Sequence, residues 1–111
     1  MRMSVTTHKA DRKLTARLAG DLDRDAEGPL AELQESFEGL DRVVLDFSDT
    51  TFISSSGLAL LVGLARAATA AGPTLHAMGL DDHYRHVFEI THLDRVIVLD
   101  EAATVTNEEK P

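Results

Sequence analysis

The first third of the chain alternates polar and apolar side chains and then changes to a helical spacing. Residues 5–8 and 14–18 have the alternation and β-branched content of strands on either side of a polar turn, so we expect an antiparallel hairpin. From Leu30 onward, apolar residues recur every three or four positions and predict a helix over about residues 24–38. Pro29 is compatible with this helix only near its start, because proline breaks a helix interior.

A short apolar run in the middle of the chain marks the next strand. Residues 43–47 are mostly apolar, which is typical of a strand that is buried on both faces. We therefore expect this strand in the centre of a sheet. We interpret residues 48–51 as a polar turn, after which Phe52 and Ile53 lead into three consecutive serines.

The second half of the chain alternates helices and strands. Residues 58–71 form a long apolar run that Gly72 and Pro73 end, which predicts a capped helix with a clear stop. Three further elements follow, which are a weak strand over residues 74–78, a short helix over about residues 83–90 and a strand over residues 96–99. Residues 100–103 have the composition of one helical turn, and we expect residues 106–111 to be a frayed tail.

This order of elements predicts an α/β fold. An opening hairpin followed by alternating helices and strands implies a mixed sheet of about five strands, of which the later ones are mostly parallel. The chain has 111 residues, close to the commonest size of one domain. We assign residues 1–105 to that single domain.

Composition and charge exclude several classes of function. The chain has no cysteine, which rules out disulfides, thiolate nucleophiles and Cys-based metal sites. No apolar run approaches the roughly 20 residues of a membrane-spanning helix, so we expect a cytoplasmic protein. The formal net charge of −8 would repel nucleic acid and anionic membranes. We therefore expect neither as a partner, and favour a protein partner with a basic face.

Three hydroxyl side chains, Ser54, Ser55 and Ser56, precede the long helix. One of them suffices as an N-cap, because serine accepts hydrogen bonds from the free N–H groups of a first turn. A phosphate added to another would be held well, since a helix N-terminus carries about half a positive charge and free donors. The helix itself is apolar on nearly every face, with Arg66 and Thr69 as the clearly polar exceptions. Part of it is therefore either a docking surface or a close contact with a neighbouring helix.

Four segments of the chain carry short motifs in a fixed order. Residues 53–58 read Ile-Ser-Ser-Ser-Gly-Leu and residues 18–23 read Leu-Ala-Gly-Asp-Leu-Asp, while residues 44–48 and 88–96 cover the central strand and a helix-to-strand turn. The first segment resembles the Asp-Ser-Ser-Gly-Leu motif of STAS domains, as found in bacterial anti-sigma factor antagonists, and the other three resemble further segments of that family. The resemblance covers nearly the whole chain. It implies a STAS-like fold with helices packed mainly on one face of the sheet.

The resemblance also implies a function in the regulation of transcription. Such antagonists bind an anti-sigma factor with serine kinase activity and thereby free the sigma factor. The kinase phosphorylates the motif serine, and a phosphoserine phosphatase restores the antagonist. By position Ser56, directly before Gly57, is the expected phosphorylation site, with Ser55 as the alternative. Ser54 stands where the family motif usually has Asp, and serine can cap a helix but supplies no charge. We expect the partner-binding surface to comprise Ser54, Ser55, Ser56, Gly57, Leu58, Leu61, His83 and His86.

Two other classes of function compete with this one. A STAS-type accessory subunit of a lipid-transport ABC ATPase can show a similar Gly-Leu-Ala-Leu-Leu helix start, and it would bind its ATPase constitutively, without a serine switch. A small-molecule binding or enzymatic domain is the least favoured class, because the sequence shows no convergent polar cluster. None of the three serines has the flanking glycines of a nucleophile elbow and no phosphate-binding loop with lysine is present, so we predict that the chain is not an enzyme.

We predict no metal and no cofactor, although two groups of residues have suggestive spacing. His83, His86 and Glu89 would lie on one helix face as zinc ligands do, but surface helices carry such polar stripes without a metal. The acids between residues 21 and 32 approach the spacing of a calcium loop, but Ala26 stands where that loop requires glycine.

Overall fold

The computed structural model describes residues 2–100 and begins with a long antiparallel hairpin. β1 (Ser4–Ala10) pairs with β2 (Lys13–Leu22), which confirms the predicted hairpin and lengthens its second strand. The pairing with β1 ends at Ala19, so the last residues of β2 are available to pair with a further strand. In that second pairing the register shifts between Gly20 and Asp21. Gly20 adopts a φ of 104°, a conformation that glycine enters without steric cost.

The first helix is shorter than its apolar spacing predicts. A 3₁₀ helix, Arg24–Ala26, precedes α1 (Glu27–Gln34), so the prediction of a helix as far as Glu38 is wrong at its end. The N–H groups of residues 35–37 each donate to the carbonyl three residues earlier, which tightens the last turn and ends the helix. Phe37 is nevertheless fully buried, so it joins the core from outside the helix. Pro29 lies in the first turn, where it is tolerated.

The central strand is confirmed, and a short strand follows it that the pattern does not predict. β3 (Arg42–Asp46) lies between two other strands and is almost wholly buried. β4 (Thr50–Ile53) begins inside residues 48–51, so the prediction of a turn throughout that range is wrong. β4 forms because it pairs in parallel with the end of β2, with Leu22 opposite Ile53. A strand that depends on a partner distant in sequence cannot be recognised from its own four residues.

The later elements follow the predicted order. They are α2 (Ser55–Ala71), β5 (Thr74–Met78), α3 (Asp82–Ile90), a 3₁₀ helix (Leu93–Arg95) and β6 (Val98–Leu99). Gly72 ends α2 with a φ of 121°, which confirms the predicted stop. Val96 and Ile97 belong to the turn after the 3₁₀ helix, so the last strand starts later than predicted. The predicted features over residues 101–111 lie outside the described residues.

The strands form one mixed sheet in the order β1-β2-β3-β5-β6, with β4 beside β2. All pairings after the first hairpin are parallel, which confirms the predicted sheet. Along β2 the side chains of Leu14, Ala16 and Leu18 are buried, whereas those between them are partly exposed. Helices α1 and α2 contact each other and the strands, and α3 joins the same core because Phe47 packs edge-on against Phe88 at 6.0 Å between ring centroids. None of the helices within residues 2–100 combines the length and hydropathy of a membrane-spanning segment.

Candidate functional site

Ser54 forms the N-cap of α2. Its backbone is extended, with φ −86° and ψ 173°, and its Oγ accepts a hydrogen bond from the Gly57 N–H at 3.0 Å. The Ser54 N–H donates to the Leu22 carbonyl at 3.0 Å, so the cap is fixed to the end of β2. A neutral hydroxyl therefore does the capping at the position where the resembling motif carries a carboxylate.

Gly57 allows α2 to start in direct contact with β2. A Cβ at this position would lie 2.1 Å from the Leu22 carbonyl oxygen and 2.8 Å from its carbon, distances that no side chain can have. Gly57 is buried in this contact. The expectation that it touches a partner is therefore wrong: Gly57 lies beneath the surface and determines where the neighbouring serines stand.

Ser55 and Ser56 occupy the first two positions of α2. Ser55 is exposed and Ser56 is half-buried. Because Ser54 fills the cap, neither of their hydroxyls has a hydrogen-bond partner within residues 2–100. The N–H groups of a first helical turn lack intrahelical acceptors and add to the positive end of the helix dipole. Two unpaired hydroxyls thus lie at a position that favours an added anion.

Two carboxylates lie on either side of Leu22, the last residue of β2 and the one that contacts the start of α2. They belong to Asp21, which is in β2, and Asp23, which follows it. Asp21 accepts a hydrogen bond from the Thr51 hydroxyl at 2.6 Å, and Asp23 accepts one from the Asp25 N–H at 3.0 Å. The pairing of β2 with β4 thereby brings together two of the four segments on which the family resemblance rests.

The other residues of the predicted partner surface divide between surface and core. Leu58 is half-buried and packs against the core, and His83 and His86 are exposed on α3. Leu61 has no exposed surface, so the expectation that it contacts a partner is wrong. A helix that is apolar on nearly every face does not reveal in its sequence which stripe faces the sheet.

Tyr84 joins α3 to the strand that leads into the serine turn. The Ile53 N–H donates to the Tyr84 hydroxyl oxygen at 3.1 Å, and the Tyr84 N–H donates in turn to the capping carboxylate of Asp81 at 2.8 Å. The phenol therefore provides an acceptor for an N–H group at the end of β4 that faces away from β2. Sequence reasoning missed this contact, because an aromatic residue on a short helix does not identify its partner.

Phe52 is the second residue near the serine turn that sequence reasoning missed. Its side chain is 50% exposed, whereas Ile53 next to it is buried. The two residues therefore show the in-and-out alternation of a strand, but both are apolar, so the sequence does not indicate which of them faces solvent. An exposed aromatic ring two positions before a helix cap adds apolar surface to the site.

The two metal alternatives have no support in the geometry. Within residues 2–100, no group of three or more His, Asp or Glu side chains is arranged to hold a metal ion. His83 packs edge-on against Tyr84, with ring centroids 4.7 Å apart, while His86 lies 3.9 Å from Glu89. The two histidines thus have different neighbours.

Comparisons with known proteins agree with this fold. The chain is 24% identical to the anti-sigma-B factor antagonist of Staphylococcus aureus over 107 residues, which cover 95% of this chain and 99% of that protein. An anti-sigma factor antagonist from Mycobacterium paratuberculosis has the same fold, with a TM-score of 0.68 at 19% identity over 87% of this chain and 84% of that one. The phosphorylated form of the Bacillus cell fate determinant SpoIIAA gives a TM-score of 0.58 at 17% identity, covering 96% of this chain and 100% of that one. A family model described as "Mlab, STAS domain" matches residues 5–100, and this chain therefore belongs to the STAS domain family.

Proposed function

We propose that this chain is an anti-sigma factor antagonist whose binding to an anti-sigma factor is switched off by phosphorylation of Ser56. The observation that carries the proposal is that Ser54 caps α2 and leaves the hydroxyls of Ser55 and Ser56 unpaired. The partner is an anti-sigma factor with serine kinase activity, and a phosphoserine phosphatase restores the antagonist. Similarity to the Staphylococcus aureus antagonist and to SpoIIAA, which has a phosphorylated form, supports this assignment.

The charge of the phosphate explains why phosphorylation would lower the affinity for the partner. A phosphate adds about −1.5 to −2 charges, and in the free domain the N-terminus of α2 stabilises them. In the complex the same charge would be removed from water against a surface that fits a neutral hydroxyl. Desolvation without a compensating partner costs several kcal/mol, on the order of a hundredfold or more in affinity. Phosphorylation should therefore release the partner without unfolding the domain.

The proposed contact surface surrounds the two unpaired hydroxyls. It consists of Ser55 and Ser56, the accessible part of Leu58 and the exposed ring of Phe52. The exposed histidines of α3 extend the surface, since Tyr84 joins that helix to the end of β4. A mainly apolar centre with hydroxyl groups suits protein–protein contact, in which charged groups are depleted from the core of the interface.

A second candidate is the accessory subunit of a lipid-transport ABC ATPase. Two observations favour it: the matched family is described as Mlab, STAS domain, and Ser54 replaces the usual motif Asp. In this case the same surface would bind an ATPase constitutively, and no serine would be modified.

Variants at Ser56 distinguish the two candidates. We expect Ser56→Ala to keep its affinity for the anti-sigma factor and to block modification, because it leaves the surface neutral. Ser56→Asp should weaken binding by at least about tenfold, and phosphate by more, since Asp carries a single charge. Calorimetry measures the affinities, and mass spectrometry after incubation with the kinase and ATP locates the phosphate.

Ser36→Asp is the matched control, because it adds the same charge at another exposed serine, just after α1. Its affinity should stay within about twofold of the wild type. If mass spectrometry located the phosphate on Ser55 instead of Ser56, Ser55 would be the switch residue. Equal affinities of Ser56→Ala and Ser56→Asp, with no phosphate on any of the three serines, would favour the ATPase subunit.

A further inference from the structure

An apolar furrow runs along the C-terminal half of α2. Val62, Ala65 and Thr69 line it from the helix, and Val96 lines it from the turn before β6. The furrow has a volume of about 440 Å³ and continues into a depression of about 390 Å³ that reaches Val98. The three valines are 39%, 51% and 49% exposed, in chain order. Contiguous apolar surface that remains open to solvent is typical of an interaction site.

The furrow is separate from the serine turn. Val62 follows Ser56 by six residues, which corresponds to about 9 Å along a helix axis. None of the residues of the proposed phosphorylation switch lines the furrow. Its occupant therefore need not be the segment that contacts the serines.

Two positive charges border the furrow. Arg66 lines its first part and Arg95 its continuation, and no Asp or Glu of the described chain lines either part. Neither guanidinium forms an ion pair with another residue in the range 2–100. This border contrasts with a chain of 19 acidic and 11 basic residues. Two acids are near the continuation but do not line it: Asp94 precedes Arg95, and the Asp41 carbonyl accepts from the Thr74 N–H at 3.0 Å. At physiological salt the screening length is about 8 Å, so a bound segment is affected by the two lining arginines more than by acids beyond that distance.

We propose that this furrow binds an amphipathic helix with acidic flanks, supplied by a partner protein. From Val62 to Ala70 the furrow extends about 12 Å, the length of roughly two helical turns. A helix of that length presents apolar residues at positions i, i+3 or i+4, and i+7 to a groove. Carboxylates beside that stripe pair with Arg66 and Arg95. Exposed pairs of this kind add little affinity, but they fix the orientation and reject basic segments.

A second copy of this chain is a poorer occupant. The exposed side of α1 carries Glu27, Ala31 and Glu32 and offers no large apolar side chain for the furrow. Helix α3 has one highly exposed apolar side chain, Ile90 at its end, whereas a groove of two helical turns needs a stripe of them. A two-fold contact of furrow against furrow would bring the arginines of both copies together. The net charge of −8 on each copy would oppose that contact further.

A designed peptide serves as the probe. It is a blocked helical peptide of about 14 residues with leucines at positions i, i+3 and i+7 and glutamates on both flanks, and its matched control has glutamine in place of each glutamate. Amide chemical shifts of the full chain are followed by NMR during titration. We expect the glutamate peptide to shift Val62, Thr69 and Val96, and to bind at least about fivefold more tightly than the glutamine peptide.

Charge variants of the protein provide the second arm of the test. Arg66→Glu should lower the affinity for the glutamate peptide by at least about fivefold, and Arg66→Gln should lower it by less. Lys9→Glu is the matched control, because it makes the same change of charge on exposed β1, and it should alter this affinity by less than about twofold. Equal binding of both peptides, shifts confined to other surfaces, or no response to Arg66→Glu would each overturn the proposal. If the amide chemical shifts of the furrow residues changed with protein concentration in the absence of peptide, the occupant of the furrow would be a second copy of this chain instead.

Discussion

Gly57 and Gly63 lie on the same helix, but their surroundings differ. A Cβ on Gly57 would meet the Leu22 carbonyl oxygen at 2.1 Å, whereas one on Gly63 would meet nothing within 4 Å. Gly57→Ala should therefore lower the free energy of unfolding by about 1–3 kcal/mol, because the strand or the helix start must move. Gly63→Ala, the matched control, should raise it by about 0.5–1 kcal/mol through helix propensity. Urea denaturation measures both changes, and a loss of stability in both variants would contradict the assignment of Gly57 as the contact glycine.

The lowered pKa of His76, on β5, predicts that the stability of the fold depends on pH. Burial, the nearby charge of Arg42 and that of Lys13 lower the pKa of His76, and Asp100 opposes them. Its imidazole also contacts the Thr74 hydroxyl at 3.1 Å. A histidine whose pKa is lower in the folded state binds its proton first in the unfolded chain. The stability it contributes is therefore present above the unfolded pKa of about 6.5 and is lost as the pH falls through the folded pKa.

The expected result is a loss of stability of the wild type as the pH falls below about 6.5, and this loss should be smaller in His76→Gln. Denaturation at several pH values measures the slopes, and NMR titration of the imidazole measures the pKa directly. The hydrogen bond and charge of Arg12 hold the pKa of Asp41 below its usual range, so Asp41 is ionised where this loss begins. Identical slopes in both proteins would show that His76 is not the responsible group.

At the scale of elements, predictability follows the range of the interaction that forms each element. β5 and the end of α2 were predictable to the residue, because the stop at Gly72 and Pro73 is a local signal. The start of α2 was predicted at Leu58, three residues too late, because any of three adjacent serines can cap a helix. β4 was not predictable, since it depends on pairing with residues of β2 that are distant in sequence. The predicted end of α1 was wrong for a related reason. Phe37 is buried although it lies beyond the helix, so the apolar positions keep a helical spacing past the point where α1 ends.

The contact between α3 and β4 leads to a test at the same scale. Tyr84→Phe removes the acceptor of the Ile53 N–H while keeping the ring. A partly buried donor without an acceptor costs about 1–3 kcal/mol, so we expect lower stability and faster amide exchange at Ile53. The variant should also weaken partner binding, because α3 is no longer held beside the serine turn. His86→Ala, an exposed change on the same helix, should leave the exchange at Ile53 unchanged. Unaltered exchange in Tyr84→Phe would mean that the phenol does not hold the strand.

At the scale of the whole molecule, the sequence predicts the fold better than it predicts the surface. Alternation and helical spacing indicate which elements form, and the order of elements restricts the topology of the sheet. They do not indicate which of three adjacent serines fills the cap, and here Ser54 does so. They also do not show which side of an all-apolar helix faces solvent, so Leu61 was assigned to the surface and Val62 was overlooked.

The net charge predicts how a switch at Ser56 would act on binding kinetics. Ser56→Asp changes the formal charge from −8 to −9, since one negative charge is added. Long-range attraction to a basic partner face depends on this total, so the association rate constant should change by less than about twofold. The local cost of desolvating the new carboxylate arises only in the formed complex, so the dissociation rate constant should rise by at least about tenfold. Surface plasmon resonance at two salt concentrations measures both constants, with slower association expected at the higher salt. A fall in the association rate that accounts for the whole loss of affinity would mean that the charge acts on the encounter, and the proposed contact at Ser56 would then be wrong.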